Sequence, residues 1–452
     1  MVKRLLIANR GEIVTRIIRT CKKMGIATVV VYSEADANMP YVKTADEAVL
    51  IGPANPMQSY LNIDAIINAA RKTGAHAVHP GYGFLSERGA FAEAVEAAGI
   101  TWVGPPPQVL KSISSKSYCR KIANSVNVPV IPGTLTIVEH PAAVIEFGNS
   151  TGWPVFLKLD KGGGGKGIER VGGANEAKKV FERATRIGEL AFGSGACYLE
   201  TVVDSPRHIE VQFLADNFGN CVCLGERECS VQRRHQKIIE EAPSVVVTPD
   251  ERRELFERTV RIISKIGYRG AGTLEYLRSR EGKYFFMEIN ARLQVEHPVT
   301  EFLTGIDIVK QQLAIASGEA LDLAQSGVHA NGHAIEARIY AEDPETFVPS
   351  PGTIAALTFP AEDPKIRIDH ALKAGNSVPP YYDPLLAKVI AWGDDRADAV
   401  NRLKQALSDF HVEGVKTTIA LNIKILGSPE FQSGNIDTNF IDTSLSKAHP
   451  GF

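Results

Sequence analysis

The first hundred residues alternate short β-rich runs with amphipathic helical runs, and this alternation constrains the fold more than any other feature. Strand-like runs at 3–8 and 28–32 enclose Glu12–Met24, whose apolar residues recur every three or four positions. Strands that alternate with helices indicate a parallel sheet covered by helices. The other strands are predicted at 48–51, 75–78 and 101–103, and the other helices at 63–72 and 90–98.

A dinucleotide site is the first ligand site to consider in such a sheet. Here the first strand is followed by Asn9-Arg10-Gly11-Glu12. This turn lacks the glycines that let the backbone approach a pyrophosphate. We therefore predict a parallel domain that does not bind a nicotinamide cofactor.

Beyond a break at 104–107, strands and helices no longer alternate regularly, which indicates α+β structure. Helical patterns are predicted at 108–126, 251–266 and 397–408, and strands at 210–215, 221–226, 284–289, 333–339 and 354–359. The predicted domains are 1–113, 114–325 with a mobile lid at about 134–204, and 330–446.

Composition excludes several function classes. The 452 residues carry 50 Lys and Arg against 52 Asp and Glu, which argues against a dedicated nucleic-acid binder. No apolar run approaches the length of about 20 residues that spans a bilayer. Cys221, Cys223 and Cys229 lack the spacing of a zinc site, so buried thiols are expected. We expect a cytoplasmic protein with no membrane partner.

The strongest local motif is a run of four glycines, Gly162 to Gly165, between lysines. It follows the strand-like 154–157 and Lys158, and Lys166 comes directly after it. An ordered chain keeps such a run where the backbone approaches a ligand closely, and amide groups beside lysines suit a polyphosphate. The spacing is not that of a Walker loop, because Gly167 and Ile168 stand where Ser or Thr is required.

A second motif consists of hard oxygen ligands. Glu288 and Asn290 are two residues apart on a predicted strand, so their side chains share one face. Glu275 lies across a predicted hairpin through 280–283. Two carboxylates and an amide oxygen on one face are ligands that Mg²⁺ takes together with phosphate oxygens.

Three further segments concentrate polar side chains. Residues 290–301 form a predicted loop terminated by proline. In this loop Arg292 is suited to bind a small planar anion, and Glu296 is suited to accept its proton. Residues 226–237 are rich in cations but lack aromatic residues, which favours a small anion over a nucleic acid. Residues 79–87 follow a strand, where open α/β sheets bind ligands.

Taken together, these segments resemble the biotin carboxylase family of the ATP-grasp superfamily over nearly the whole chain, from 7–13 to 379–383. The most diagnostic pieces are 79–87, 232–237 and 290–301. The resemblance implies a parallel N-terminal domain, an ATP-grasp core with a lid, and a C-terminal biotin carboxylase domain. It also implies an ATP-dependent ligase in which bicarbonate attacks MgATP to give carboxyphosphate, whose CO₂ is taken up by biotin.

The resemblance also implies roles for individual residues. Glu296 resembles the base for bicarbonate, and Arg338 the group that stabilises the ureido enolate, with Tyr82 beside the biotin ring. Bicarbonate would be held by Lys237, Arg292, Gln294 and the Val295 backbone, and Mg²⁺ (or Mn²⁺) by Glu275, Glu288 and Asn290. The nucleotide contacts would be Lys116, Lys158, Gly162, Gly163, Gly164, Gly165, Lys166, Glu200, Val203, His208, Gln232 and His235.

The sequence departs from the family pattern around the nucleotide. Lys161 and Lys166 stand where the family often has a fifth glycine and an arginine, and Thr201 stands where a lysine is usual. The segment 115–120 is atypical around Lys116. None of these changes removes a residue with an implied catalytic role, so we expect them to affect ATP affinity and lid motion.

The implied partners follow from what the sequence lacks. It has no Ala-Met-Lys-Met motif for a biotinyl-lysine, so biotin is expected on a separate carrier protein, with separate carboxyltransferase subunits. The family resemblance also implies a homodimer. An acetyl-CoA or other acyl-CoA carboxylase is predicted. The alternatives are a pyruvate or 2-oxoglutarate carboxylase, a carboxylate–amine ligase of the same superfamily, or a nucleotide-binding regulatory subunit.

Overall fold

The computed structural model describes residues 2–162 and 167–445 and begins with a five-stranded parallel sheet. The strands run in the order β3-β2-β1-β4-β5, and every pairing is parallel. This confirms the predicted parallel α/β fold. Its elements are β1 (Arg4–Ile7), α1 (Glu12–Met24), β2 (Ala27–Ser33), α2 (Pro40–Thr44), β3 (Glu47–Gly52), α3 (Ile63–Lys72), β4 (Ala77–His79), α4 (Gly89–Ala97) and β5 (Thr101–Trp102).

The single helix predicted over 108–126 is wrong, because two helices occupy this segment. They are α5 (Pro107–Ile113) and α6 (Lys116–Ser125). Ser115 between them has extended backbone angles, and its hydroxyl accepts a hydrogen bond from the Tyr118 N–H. A serine side chain that satisfies a free N–H at a helix start favours a new helix over continuation of the old one.

The next unit is a small antiparallel sheet with two helices and its own apolar core. Its elements are α7 (Pro141–Thr151), β6 (Val155–Leu159), β7 (Ile168–Val171), α8 (Ala174–Phe192) and β8 (Cys197–Thr201). Strand β6 is central, with β7 and β8 on either side. Val144, Leu157 and Val180 are buried between the sheet and the helices. The glycine run joins β6 to β7, and its residues Gly163 to Lys166 lie outside the described residues.

One antiparallel sheet of eight strands forms the rest of the framework, in the order β13-β12-β9-β10-β11-β14-β19-β17. It joins strands from both sides of the predicted domain boundary at 325–330. The helices and strands of residues 207–432, some of which lie outside this sheet, are β9 (Arg207–Ala215), β10 (Cys221–Arg233), β11 (Gln236–Ala242), α9 (Pro249–Ile266), β12 (Gly270–Arg278), β13 (Tyr284–Asn290), α10 (His297–Thr304), α11 (Ile308–Ala316), β14 (His333–Tyr340), β15 (Gly352–Thr353), β16 (Ala356–Thr358), β17 (Ile366–His370), β18 (Ser377–Val378), β19 (Leu385–Gly393), α12 (Arg396–Asp409), β20 (His411–Glu413), α13 (Ile419–Gly427) and α14 (Pro429–Gln432).

Two further predictions need correction. The strand predicted at 354–359 is confirmed as β16, but it is shorter than predicted. The separate strand β15 precedes it, and β15 and β16 pair with β18 and β20 respectively. The predicted loop 290–301 is too long, because α10 begins at His297 and Pro298 lies in its first turn. Proline is tolerated there, since the first helical N–H groups have no intrahelical partner.

The C-terminal part packs against the N-terminal domain through Tyr382. Its ring contacts those of Tyr60 and Phe84, and its hydroxyl lies 2.6 Å from the carbonyl oxygen of Ala54. Because Phe84 belongs to the loop at 79–87, the Tyr382 ring packs directly against this loop. Among the helices of the described residues, none combines the length and apolar character needed to cross a membrane.

Candidate active site

Four charged residues form a row across one face of the central sheet. Glu288 on β13 pairs with Glu275 on β12, Glu275 pairs with Glu210 on β9, and Glu210 pairs with Arg227 on β10. Residues that are directly opposite in paired strands point to the same face. Three carboxylates therefore lie side by side, and without cations they would repel one another.

Lysine side chains neutralise this row, and a histidine makes a polar contact with it. The Nζ of Lys237 lies 2.8 Å from Glu210, 3.2 Å from Glu275 and 2.7 Å from Glu296. His208 contacts Glu275 at 2.9 Å, and Lys116 pairs with Glu288. Burial alone would raise the pKa of Glu275, but Lys237 and His208 outweigh burial and hold that pKa well below its usual range.

The three predicted metal ligands lie together. Glu275 and Glu288 are paired across β12 and β13, and the Asn290 amide donates to Glu275. The hairpin that joins the two strands turns through 279–283, close to its predicted position. Two carboxylates and an amide oxygen on one face are a donor set that fits Mg²⁺ with phosphate oxygens as its other ligands.

Glu296 is the centre of the second cluster. It is fully buried, and it contacts Lys237 at 2.7 Å and Arg338 at 2.9 Å. Arg338 also donates its Nε–H to Glu240 at 2.6 Å. Burial raises the pKa of Glu296, but Lys237, Arg338 and Arg227 together lower it well below its usual range. Burial raises the pKa of Glu240 to about 7, although Arg338 opposes the shift.

Arg292 lies beside this cluster and is held by polar contacts on three sides. It donates to Gln294 at 2.8 Å, to Glu87 at 3.2 Å and to Asn290 at 3.4 Å. Gln294 in turn donates to Thr273 at 2.7 Å. The guanidinium of Arg292 and the amide of Gln294 are therefore held in positions suited to bind a small anion between the predicted metal ligands and Glu296.

The loop at 79–87 closes the site on the side of the N-terminal domain. It begins at the carboxyl end of β4, as predicted. The Tyr82 hydroxyl bonds to Glu12, and burial raises the pKa of that hydroxyl. His79 is buried, its Nδ1 accepts the Gly81 N–H at 3.0 Å, and its Nε2 contacts Gln312 at 3.2 Å.

The described residues among the predicted nucleotide contacts lie on or next to α6, the small antiparallel sheet and the eight-stranded sheet. Lys158 and Arg120 both pair with Glu200, and Lys158 lies on β6 beside the strand that carries Glu200. The tight turn of Arg234 and His235 joins β10 to β11 with left-handed φ values of 48° and 66°, which leaves His235 exposed at its tip. Val203 and Gly162 are half-buried and Gln232 is buried, whereas Gly163, Gly164, Gly165 and Lys166 lie outside the described residues.

The cysteines are single buried or half-buried thiols, as expected. Among the described residues, one group of carboxylates, cysteines and histidines is close enough to hold a metal, and it consists of Glu210, Cys229 and Glu296. The ammonium group of Lys237 already lies between the two carboxylates. A resident cation therefore occupies the position that a metal would need.

Several residues of the site are absent from our sequence-based predictions. Glu210 follows His208 and precedes Gln212 at alternate positions of an otherwise apolar strand, which is a signal for one polar face. The other missed residues are Glu12, Glu87, Arg227, Glu240 and Lys388. Lys388 had a signal as well, because it is the one charged residue in the apolar strand β19.

Comparisons with known proteins give matches over nearly the whole chain, and these matches point to one family. Three family models match: "Biotin carboxylase, N-terminal domain" at 1–110, "Carbamoyl-phosphate synthase L chain, ATP binding domain" at 115–324 and "Biotin carboxylase C-terminal domain" at 336–443. Biotin carboxylase 2 of Bacillus subtilis is 46% identical over 98% of this chain and 100% of its own. A pyruvate carboxylase subunit of Methanothermobacter thermautotrophicus is 44% identical over 98% of this chain and 90% of its own.

A solved structure is similar throughout as well. It is the biotin carboxylase domain dimer of the Hydrogenobacter thermophilus 2-oxoglutarate carboxylase, in complex with MgADP, ADP and bicarbonate. It matches with a TM-score of 0.96 and 42% identity, over 99% of this chain and 98% of that chain.

The buried His79 predicts a specific loss of stability in acid. Burial lowers its pKa to about 4 from 6.5, so the unfolded state binds more protons between these values and stability falls as the pH falls. The slope is about 1 kcal/mol per pH unit near pH 5.5. His79→Asn keeps an acceptor for the Gly81 N–H but does not titrate. Urea unfolding at pH 7, 6 and 5 should therefore show a shallower loss in the variant, and equal slopes would contradict this account.

Proposed function

The chain belongs to the biotin carboxylase family, and on that premise we propose that it carboxylates biotin with bicarbonate and ATP. The observation that carries the proposal is the position of Glu296, a buried carboxylate between Lys237 and Arg338 and beside the anion-binding pair Arg292 and Gln294. A base, an anion site and a group that can stabilise a second oxyanion thus converge at one place. The carboxylates that suit a metal lie next to them.

The reaction begins with bicarbonate beside Glu296. Arg292, Gln294, Lys237 and the Val295 N–H hold the anion, and Glu296 removes its proton. A bicarbonate oxygen then attacks the γ-phosphorus of ATP, which gives carboxyphosphate and ADP. Mg²⁺, held by Glu275, Glu288 and Asn290, supplies neutralising charge to the phosphates when it is bound.

The strength of Glu296 as a base depends on its partners. While Lys237 and Arg338 contact Glu296, the pKa of this carboxyl is low and it holds a proton weakly. Bicarbonate turns Lys237 toward itself, and the biotin oxygen does the same to Arg338. The carboxylate then loses cationic neighbours within a buried site, so its pKa rises and it becomes a better proton acceptor.

Biotin takes up the carboxyl group in the second half of the reaction. Carboxyphosphate breaks down to CO₂ and phosphate, and the phosphate removes the proton from the ureido nitrogen. Arg338 stabilises the negative charge that develops on the ureido oxygen, and Tyr82 lies beside the ring. Stabilisation of charge where it develops is usually the largest catalytic contribution.

The nucleotide contacts we propose are the predicted ones at the lid. Lys116, Lys158 and His208 face the phosphates together with the glycine run and Lys166. Glu200 and Val203 lie at the adenine hinge, while Gln232 and His235 lie near the ribose. Lys158 and His208 are supported by their contacts with Glu200 and Glu275, which lie among the other predicted site residues.

Substitution of Glu296 tests the proposed base. We expect Glu296→Gln to lower bicarbonate-dependent ATP cleavage about 100-fold or more, because a positioned general base contributes at least that factor. Free biotin should accelerate the reaction of the unchanged protein. The measurement is the rate of ADP formation with and without bicarbonate.

Glu281→Gln is the matched control, because Glu281 is exposed on the hairpin between the two strands of metal ligands. It should leave the rate unchanged. If Glu296→Gln is as active as this control, a carboxylate–amine ligase becomes the better interpretation.

For the final acceptor we propose an acetyl-CoA or other acyl-CoA carboxylase, in which this chain acts as a homodimer beside a biotin carrier protein and carboxyltransferase subunits. The support is the match to biotin carboxylase 2 of Bacillus subtilis, which covers 98% of this chain and 100% of that protein. The similarity to a 2-oxoglutarate carboxylase domain and to part of a pyruvate carboxylase makes those acceptors the alternatives.

The acceptor is identified with the native complex, isolated from source cells through a tag on this chain. The complex is given ATP, ¹⁴C-bicarbonate and one acceptor at a time. We expect label in acetyl-CoA or another acyl-CoA. Label that enters only pyruvate or only 2-oxoglutarate would overturn the proposed acceptor and leave the biotin carboxylation intact.

A further inference from the structure

Val295 lies in the short connection between β13 and α10, and buried side chains hold the carbonyl oxygens of both peptide groups that flank it. The Gln294 carbonyl lies 2.7 Å from Nδ1 of His297, and the Val295 carbonyl lies 2.8 Å from Nζ of Lys388. Within the described residues, the Val295 N–H itself has no hydrogen-bond acceptor. The connection therefore offers one free donor between two anchored carbonyls.

Planarity of the peptide bond gives this arrangement its meaning. The Gln294 carbonyl and the Val295 N–H belong to one rigid plane, and they point in opposite directions. A hydrogen bond that fixes the carbonyl therefore fixes the direction of the N–H. The Lys388 contact fixes the next plane in the same way, so Val295 cannot rotate between the two.

The His297 side chain is suited to a single role. It is completely buried, and since a carbonyl only accepts hydrogen bonds, the proton of the ring must sit on Nδ1. Its Nε2 has no hydrogen-bond partner among the described residues and lies 3.9 Å from Glu301. Burial, together with Lys388 and Arg16, lowers the pKa of His297 well below its usual range, so the ring is neutral.

Lys388, which anchors the Val295 carbonyl, also contacts a residue next to Tyr82. Its ammonium group is completely buried on β19 and lies 3.1 Å from Glu12, which bonds to the Tyr82 hydroxyl. Asp369 is 3.9 Å away and completes its neutralisation. An ammonium group kept in the interior needs such partners, and here one of them is the carbonyl beside the free N–H.

We propose that His297 and Lys388 are positioning residues that aim the Val295 N–H at bicarbonate by anchoring the carbonyls on either side of it. The inference rests on the proposed function, in which that N–H donates to bicarbonate. Neither side chain touches the anion. Fixed donors need no reorganisation when charge arrives, which is why loss of an anchor weakens anion binding.

Two amide substitutions at His297 separate positioning from packing. His297→Asn places its amide nitrogen near the position of Nδ1 and keeps the donor to the Gln294 carbonyl. His297→Gln is equally polar, but its amide lies near the position of Nε2 and leaves the carbonyl without that donor. The readouts are kcat and the separate KM values for bicarbonate and for MgATP, with thermal unfolding as a check on the fold.

We expect His297→Gln to raise the bicarbonate KM about tenfold, since a misdirected donor loses part of the 10²–10³ effect of a fully removed one. The KM for MgATP should stay within about twofold of that of the unchanged protein, because the nucleotide contacts are not altered. In His297→Asn the KM for bicarbonate should stay within about threefold, because the Asn amide keeps the donor to the Gln294 carbonyl. Lys388→Met removes the second anchor and should give the same selective rise, so the test does not depend on one variant.

Equal bicarbonate KM values in the Asn and Gln variants would overturn the inference, as would a matching rise in the MgATP KM. These results are distinct from failure of the proposed function. If the unchanged protein splits ATP without regard to bicarbonate, the function itself is wrong. If it depends on bicarbonate but the two variants do not differ, only the positioning role is wrong.

Discussion

The site depends on the neutralisation of three carboxylates that the sheet register forces side by side. Glu288, Glu275 and Glu210 lie on adjacent strands, and like charges directly opposite one another destabilise a sheet. Lys237 contacts two of them and Glu296 as well, so one ammonium group joins the carboxylate row to Glu296. A chain with a formal net charge of only −2 can therefore hold a strongly polar site, because its opposite charges are concentrated in one cleft.

The same charges explain how the site responds to its substrates. A buried ion pair is costly to break unless a new partner replaces the old one. In the reaction we propose, bicarbonate replaces Glu296 as the partner of Lys237, and the ureido oxygen replaces it as the partner of Arg338. Proton transfer then follows binding, since Glu296 becomes a better base only when its cations have turned away.

The sequence was sufficient for the parallel sheet and for the placement of Glu275, Glu288 and Asn290 next to one another, because both rest on local periodicity or spacing. Residues 108–126 were misread since the capping role of Ser115 outweighs helical periodicity. Glu240 and Lys388 were missed for another reason. Their roles arise from pairing with Arg338 and with the Val295 carbonyl, which come from distant segments joined only by the eight-stranded sheet. The isolated charge in the apolar strand β19 marks Lys388, but no spacing along the chain identifies its partner or that of Glu240.

In the reaction we propose, a bicarbonate oxygen attacks the γ-phosphorus of ATP at Glu296. The most direct test of this attack is a short incubation with ATP, biotin and bicarbonate labelled with ¹⁸O, followed by mass analysis of the phosphate that is released. Carboxyphosphate breaks down with its bridging oxygen left on phosphorus, so each phosphate should carry one labelled oxygen from bicarbonate. Phosphate without label would show that water attacks ATP directly, and it would contradict the account.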